Sequence, residues 1–143
     1  MHNLKRNIMF KKTWGSEIIW GLTDKYIAKT VELNPNSQTA LYFHREKEKS
    51  IMVIRGILYL YFGSASAANV KVFKVREGWT WNINPGDIYR YKATRGIVRL
   101  IEVSTMHMDD EVILEDEYGK EVLSDEVKKK FEEYKYNKIK QDK

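Results

Sequence analysis

The 143-residue chain contains no cysteine. That excludes a disulfide framework, a thiolate metal site and a cysteine nucleophile. No apolar run approaches the ~20 residues needed to span a bilayer. The basic start, Met1-His2-Asn3-Leu4-Lys5-Arg6, is not followed by a long apolar stretch, so no secretory signal is expected. The expected compartment is the cytoplasm. There is no glycine-rich phosphate loop, zinc-ligand cluster or nucleophile triad. No internal repeat is present, and one domain is expected over residues 1–143.

The formal net charge is +5, but the basic residues are interleaved with acids, as in Arg45-Glu46-Lys47-Glu48-Lys49. Such mixing reads as a solvated surface rather than a nucleic-acid footprint. Neither nucleic acid nor membrane is expected as a partner. The cationic excess suits a small anion such as a sugar phosphate.

What the chain does carry is β-pattern. Tyr26–Leu33 alternates apolar and polar residues, as a half-buried strand should. Residues 2–12 read as a polar arm or short edge strand, and Trp14–Gly21 as a strand bounded by glycine. Further strands are expected at Thr39–His44, Ile51–Ile54, Ile57–Phe62, Val70–Val75, Trp79–Ile83, Asp87–Lys92 and Ile97–Val103. Asn34-Pro35-Asn36-Ser37 is a turn, and Arg55-Gly56 is read as the reversal of a hairpin joining Ile51–Ile54 to Ile57–Phe62. Arg45–Lys49 reads as a charged turn, and Asp109-Asp110 and Glu115-Asp116-Glu117 as solvated surface. Many short, turn-punctuated strands mean an all-β sandwich or barrel. The tail differs: Ser124 can cap a helix whose Val127, Phe131 and Tyr134 form a narrow apolar stripe.

Two segments in this pattern share a spacing. The first runs Asn36, five residues, Tyr42, one, His44, four, Lys49, six, Gly56. The second runs Gly78, five, Asn84, one, Gly86, two, Tyr89, three, Ala93, with Pro85 one position late. Together they resemble the two motifs of the cupin superfamily. Lys12-Thr13-Trp14-Gly15 is similar to the Arg/Lys-Pro-Trp-Gly entry of type II mannose-6-phosphate isomerases and of the isomerase domain of bifunctional guanylyltransferases. Ile101-Glu102-Val103, Asp109-Asp110 and Leu114–Lys120 look like their closing segment. The resemblance covers residues 12–120. It implies a single cupin barrel, a double-stranded β-helix or jelly roll, over about residues 12–105, with a C-terminal extension over 106–143 that holds a short helix. It also implies a homodimer, and Trp14, Trp20, Trp79 and Trp81 read as core or dimer-interface anchors rather than ligand platforms.

Cupins hold a divalent metal with imidazoles, or a glutamine, and a carboxylate. The matching positions here are Tyr42, His44, Lys49 and Tyr89. Only His44 is a good ligand, since phenols stay protonated near neutral pH and an ammonium repels a cation. No cofactor is therefore expected; the alternative is zinc, manganese or iron held by His44 and Glu48, which keeps a three-residue gap that cupins also use. Strand alternation turns Tyr42 and His44 inward, and gives Tyr89 and Tyr91 a shared face. An interior of tyrosines and one histidine suits a sugar or another polar ring. Tyr42, His44, Tyr89 and Tyr91 are the ligand-binding candidates, with Lys49 or Glu48 near the rim; Tyr42, His44 and Tyr89 are also the catalytic candidates. Three functions stay open: a cupin that binds a small sugar-like ligand without a full metal site, a sugar-phosphate isomerase of the mannose-6-phosphate type, and a non-catalytic structural dimer.

Overall fold

The computed structural model describes residues 7–64 and 69–122, and every regular element among them is a β-strand. In chain order these are β1 (Ile8–Lys12), β2 (Gly15–Leu22), β3 (Tyr26–Leu33), β4 (Ser37–Gln38), β5 (Leu41–His44) and β6 (Lys49–Arg55). They continue with β7 (Leu58–Gly63), β8 (Lys71–Val75), β9 (Thr80–Ile83), β10 (Ile88–Ala93), β11 (Val98–Thr105) and β12 (Glu111–Glu115). The expected C-terminal helix lies outside the described residues. No helix among the described residues is long and apolar enough to cross a membrane.

Two antiparallel sheets face each other. The first runs β1-β2-β3-β11-β6-β9 and the second β12-β5-β10-β7-β8, with β4 added to β10. Alternation decides what each strand buries. In β6, Lys49, Ile51 and Val53 are buried while Ser50, Met52 and Ile54 are exposed. In β11, Val98, Leu100, Glu102 and Ser104 face in. Ile51, Val53, Val98 and Leu100, with Val31, Leu33, Leu58, Leu60, Val75, Ile83, Tyr89 and Tyr91, form one continuous hydrophobic core between the sheets.

Two expectations are corrected by the topology. The segments Ile51–Ile54 and Ile57–Phe62 do not pair as a hairpin: β6 lies between β11 and β9, and β7 between β10 and β8. At Gly56 the chain crosses from one sheet to the other. Gly56 has φ of 81°, and a β-carbon there would strike the Ile97 carbonyl oxygen, so the corner admits only glycine. Two inward-facing strands look the same whether they share a sheet or oppose each other, and periodicity cannot separate the cases. The second correction is β12, where no strand was expected. Its alternation is masked by Glu111 and Glu115, which suit an edge strand paired on one side only.

Candidate functional site

The barrel interior carries an unusual amount of charge. On the first sheet, Lys29 of β3 stands directly opposite Glu102 of β11, and Lys49 of β6 is its diagonal neighbour. Lys49 Nζ donates to both Glu102 oxygens, at 3.0 and 3.2 Å. Lys29 Nζ lies 3.8 Å from Glu102 and 3.2 Å from Glu17 of β2. From the second sheet, the Tyr91 hydroxyl donates to Glu102 Oε1 at 2.8 Å, and the Lys49 ammonium sits over the Tyr89 ring at 5.1 Å. Burial by itself would raise the Glu102 pKa. The Lys49 and Lys29 charges and the hydrogen bonds from Tyr91 and Lys49 instead bring it down to about 2. Burial opposes the Lys49 charge as well, but Glu102 outweighs it and the ammonium pKa is raised.

A second network runs through β5. Tyr42 is directly opposite Tyr89, and their rings touch at 4.8 Å between centroids. His44 Nε2 is 2.7 Å from the Tyr89 hydroxyl, and His44 Nδ1 is 3.1 Å from Asp110 Oδ1. Burial opposes ionisation of Asp110, yet the amides of Glu46 and Lys47, with His44, hold its pKa below the ordinary value. An ionised Asp110 only accepts, so the His44 proton belongs on Nδ1, and Nε2 accepts from Tyr89. Burial, then the Lys49 and Lys47 ammoniums, lower the His44 pKa from 6.5 to about 3. The imidazole is neutral at physiological pH. Burial likewise raises all three inward phenols, Tyr42, Tyr89 and Tyr91.

An open cavity of about 450 Å³ leads into this interior. Tyr42, His44, Lys47, Lys49 and Lys29 line its inner part, and Lys11, Lys12, Trp14, Glu111 and Glu117 also border it. Tyr89 and Tyr91, at 0% and 1% exposure, do not line it. The Tyr42 and Tyr89 rings are at contact distance, so no ligand ring fits between them.

Lys49, expected on a turn near the rim, instead opens β6 and is buried, because its parity matches Ile51 and Glu102 is there to meet it. Glu48 is exposed and borders a separate shallow depression with Lys25, Ser50 and Val103. Asp110, read as solvated, is a structural clamp. Its Oδ2 accepts from the amides of Glu46 and Lys47 at 2.9 and 2.8 Å. Glu115 is likewise engaged, paired at 3.4 Å with Arg90, whose Nε also donates to the Thr39 carbonyl. Trp14 and Trp81 pack on the core, while Trp20 and Trp79 are exposed.

Glu102, Lys29, Lys47 and Asp110 are not among the site residues expected from sequence. Glu102 left one legible signal: it is the carboxylate on the inward face Val98-Leu100-Glu102-Ser104. The site does not suit the divalent metal of related folds. Both ring nitrogens of His44 are engaged, two of the other positions are neutral phenols, and the fourth is an ammonium tied to the nearest buried carboxylate.

No family model matches the chain, and no curated protein matches it in sequence. Solved structures match its fold. A cupin-2 domain protein from Rhodospirillum rubrum superposes with a TM-score of 0.62 at 11% identity, over 76% of this chain and 74% of that one. The chain has a cupin fold. The capsular polysaccharide assembling protein CapF from Staphylococcus aureus matches this cupin barrel with a TM-score of 0.68 at 15% identity. The match covers 82% of this chain but only 35% of CapF, so the barrel spans about a third of that protein. Streptomyces PAC13, solved with uridine, gives 0.61 at 11% identity over 77% and 85% of the two chains. Identities this low carry the fold alone.

Two outcomes follow for stability. In Glu102→Gln the buried Lys49 ammonium loses its counter-charge, and a loss of about 3–5 kcal/mol is expected in urea unfolding. A variant replacing both partners, Lys49→Met with Glu102→Leu, should recover most of it. The second concerns pH. His44 is neutral in the fold down to about pH 3 and titrates near 6.5 when unfolded, so the unfolded chain binds the extra proton between those values. Stability from this group is complete above pH 6.5 and falls as the pH drops toward 3. His44→Phe should flatten the decline between pH 6.5 and about 5, before ordinary carboxylates titrate, in denaturation curves taken across that range.

Proposed function

We propose that this cupin barrel binds a small polar ring compound, sugar-like in character, in the mouth of the barrel without a complete metal site. The observation that carries this reading is the cavity of about 450 Å³, with Tyr42 and Trp14 as aromatic surface and His44, Thr39, five lysines and three glutamates as polar groups. Its size suits a monosaccharide or nucleoside, and the mix of aromatic faces with a few polar groups suits ring recognition. The uridine bound by PAC13 is a ring compound of that class. A cavity this open weighs against a purely structural barrel filled by its own side chains.

An aldose–ketose isomerase of the mannose-6-phosphate type is the second reading. It draws on Lys12, Thr13 and Trp14, whose entry motif borders the cavity. Isomerisation through an enediol needs a base and a group to hold the oxyanion. His44 would be the base, Tyr42 or Tyr89 the acid, and Lys49 the charge. The His44 lone pair is engaged by Tyr89, and Lys49 by Glu102, so binding asks less rearrangement than catalysis.

In calorimetry and thermal-shift assays against monosaccharides, sugar phosphates and nucleosides, at least one is expected to bind. Saturation at a hundred times Kd stabilises by about 2.7 kcal/mol. His44→Phe should abolish that shift while circular dichroism stays that of a β-protein, and elemental analysis of the wild type should find no stoichiometric zinc, manganese or iron. A shift that survives His44→Phe, or a metal lost on that substitution, would defeat the proposal.

The protein is further proposed to pair with a second copy through β1, an edge strand whose Ile8, Met9 and Phe10 are all exposed. Light scattering at micromolar concentration should give a dimer mass, and Phe10→Lys should shift it toward the monomer.

A further inference from the structure

Lys47 lies between β5 and β6, in a run of alternating charges that reads as surface. It is only 7% exposed. The cause is local. Asp110 Oδ2 accepts from the backbone amides of Glu46 and Lys47, while Asp110 Oδ1 faces His44. This clamp holds the turn with the Lys47 side chain bordering the barrel cavity, beside Lys29, Lys49, Tyr42 and His44.

The three inner lysines are not equivalent. Lys49 is paired with Glu102, and Lys29 with Glu17 and Glu102. Lys47 forms no ion pair with any carboxylate among the described residues. The Asp110 carboxylate is already taken by two amides and an imidazole. The ion pairs of the inner wall thus join Lys29 and Lys49 to Glu17 and Glu102, while Lys47 feels the Asp110 and Glu102 charges only at longer range. A buried ammonium without a close counter-ion is costly, and an anion entering the cavity would supply one. Burial and the repulsion of Lys49 and Lys29 lower the Lys47 pKa, with Asp110 and Glu102 opposing them in part.

We propose that the cavity holds the oxyanion of a small molecule, a carboxylate or a phosphate, against the Lys47 ammonium, with Lys29 and Lys49 as the flanking charges. Such a charge-assisted contact is shorter and stronger than a neutral hydrogen bond. It leaves Tyr42 and Trp14 for the uncharged part of the ligand. This assignment rests on the barrel cavity being the ligand site, and it adds the chemical group by which the ligand is recognised and the residue that reads it.

The test uses calorimetry and thermal shift on wild type, Lys47→Met and Lys47→Gln at neutral pH, with sodium chloride at matched ionic strength as control. The probes are inorganic phosphate and acetate, then glucose, glucuronate and glucose 6-phosphate. Phosphate or acetate should raise the wild-type melting temperature beyond the chloride control, and whichever is more effective names the oxyanion. Both variants should lose tenfold or more in affinity for it. Without any anion, Lys47→Met should melt above wild type, because a buried ammonium with no close ion pair has gone. Anion affinity unchanged in both variants, or no stabilisation beyond chloride in any arm, overturns the assignment. Glucose binding as tightly as glucuronate and glucose 6-phosphate removes the Lys47 site and leaves ring binding standing. Acidic sugars that bind no tighter than bare acetate or phosphate leave the Lys47 site standing and remove ring recognition.

Discussion

The ion pair between Lys49 and Glu102 sets the terms for the rest of the barrel. Both residues are almost fully buried, between two sheets whose other inward residues are largely apolar. A lone charge there would cost several kcal/mol, so each residue requires the other. The requirement spreads outward. The remaining capacity of Glu102 is met by Tyr91 from the opposite sheet and by Lys29, which in turn meets Glu17. Strands β2, β3, β11 and β6 are thereby joined by charge as well as by backbone hydrogen bonds, and the two sheets are tied through Tyr91. A metal-binding cupin brings its central positive charge in from solution, whereas this chain supplies the charge with its own lysine.

That substitution changes what the interior offers a ligand. Tyr89 and Tyr91 are consumed in bonding His44 and Glu102 and have no face on the cavity. Tyr42, His44, Trp14 and lysine ammoniums meet the cavity, with Glu17, Glu111 and Glu117 also on its border. Asp110, far along the chain, governs two of these at once. It fixes the proton of His44 on Nδ1, and it holds the turn that presents Lys47. An acidic residue in the segment between β11 and β12 therefore shapes a basic cavity.

Much of this was readable from residue order. The alternation in Tyr26–Leu33 and in Ile51–Ile54 reports which residues face the core, because side-chain direction in a strand depends only on parity. The same parity turns Tyr42, His44 and Tyr89 inward. Motif spacing located the mouth of the barrel. Parity fails where the question is which strand lies opposite. The segments on either side of Gly56 read as a hairpin yet belong to different sheets, since both inward faces of a sandwich carry the same pattern. Lys49 was misplaced for a related reason: a lysine after a charged run resembles surface unless its partner across the sheet is known, and Glu102 lies more than fifty residues away.

Local chemistry in the chain was thus sufficient for strands, turns, an all-β barrel and the absence of any thiolate chemistry. Those properties depend on neighbours within a few residues. The pairing of Lys49 with Glu102, the capture of His44 by Asp110 and the burial of Lys47 depend on side chains that meet only once β5, β6, β10 and β11 have closed around one another. Whether a buried charge is neutralised is a property of three-dimensional neighbours, and only the folded barrel decided it.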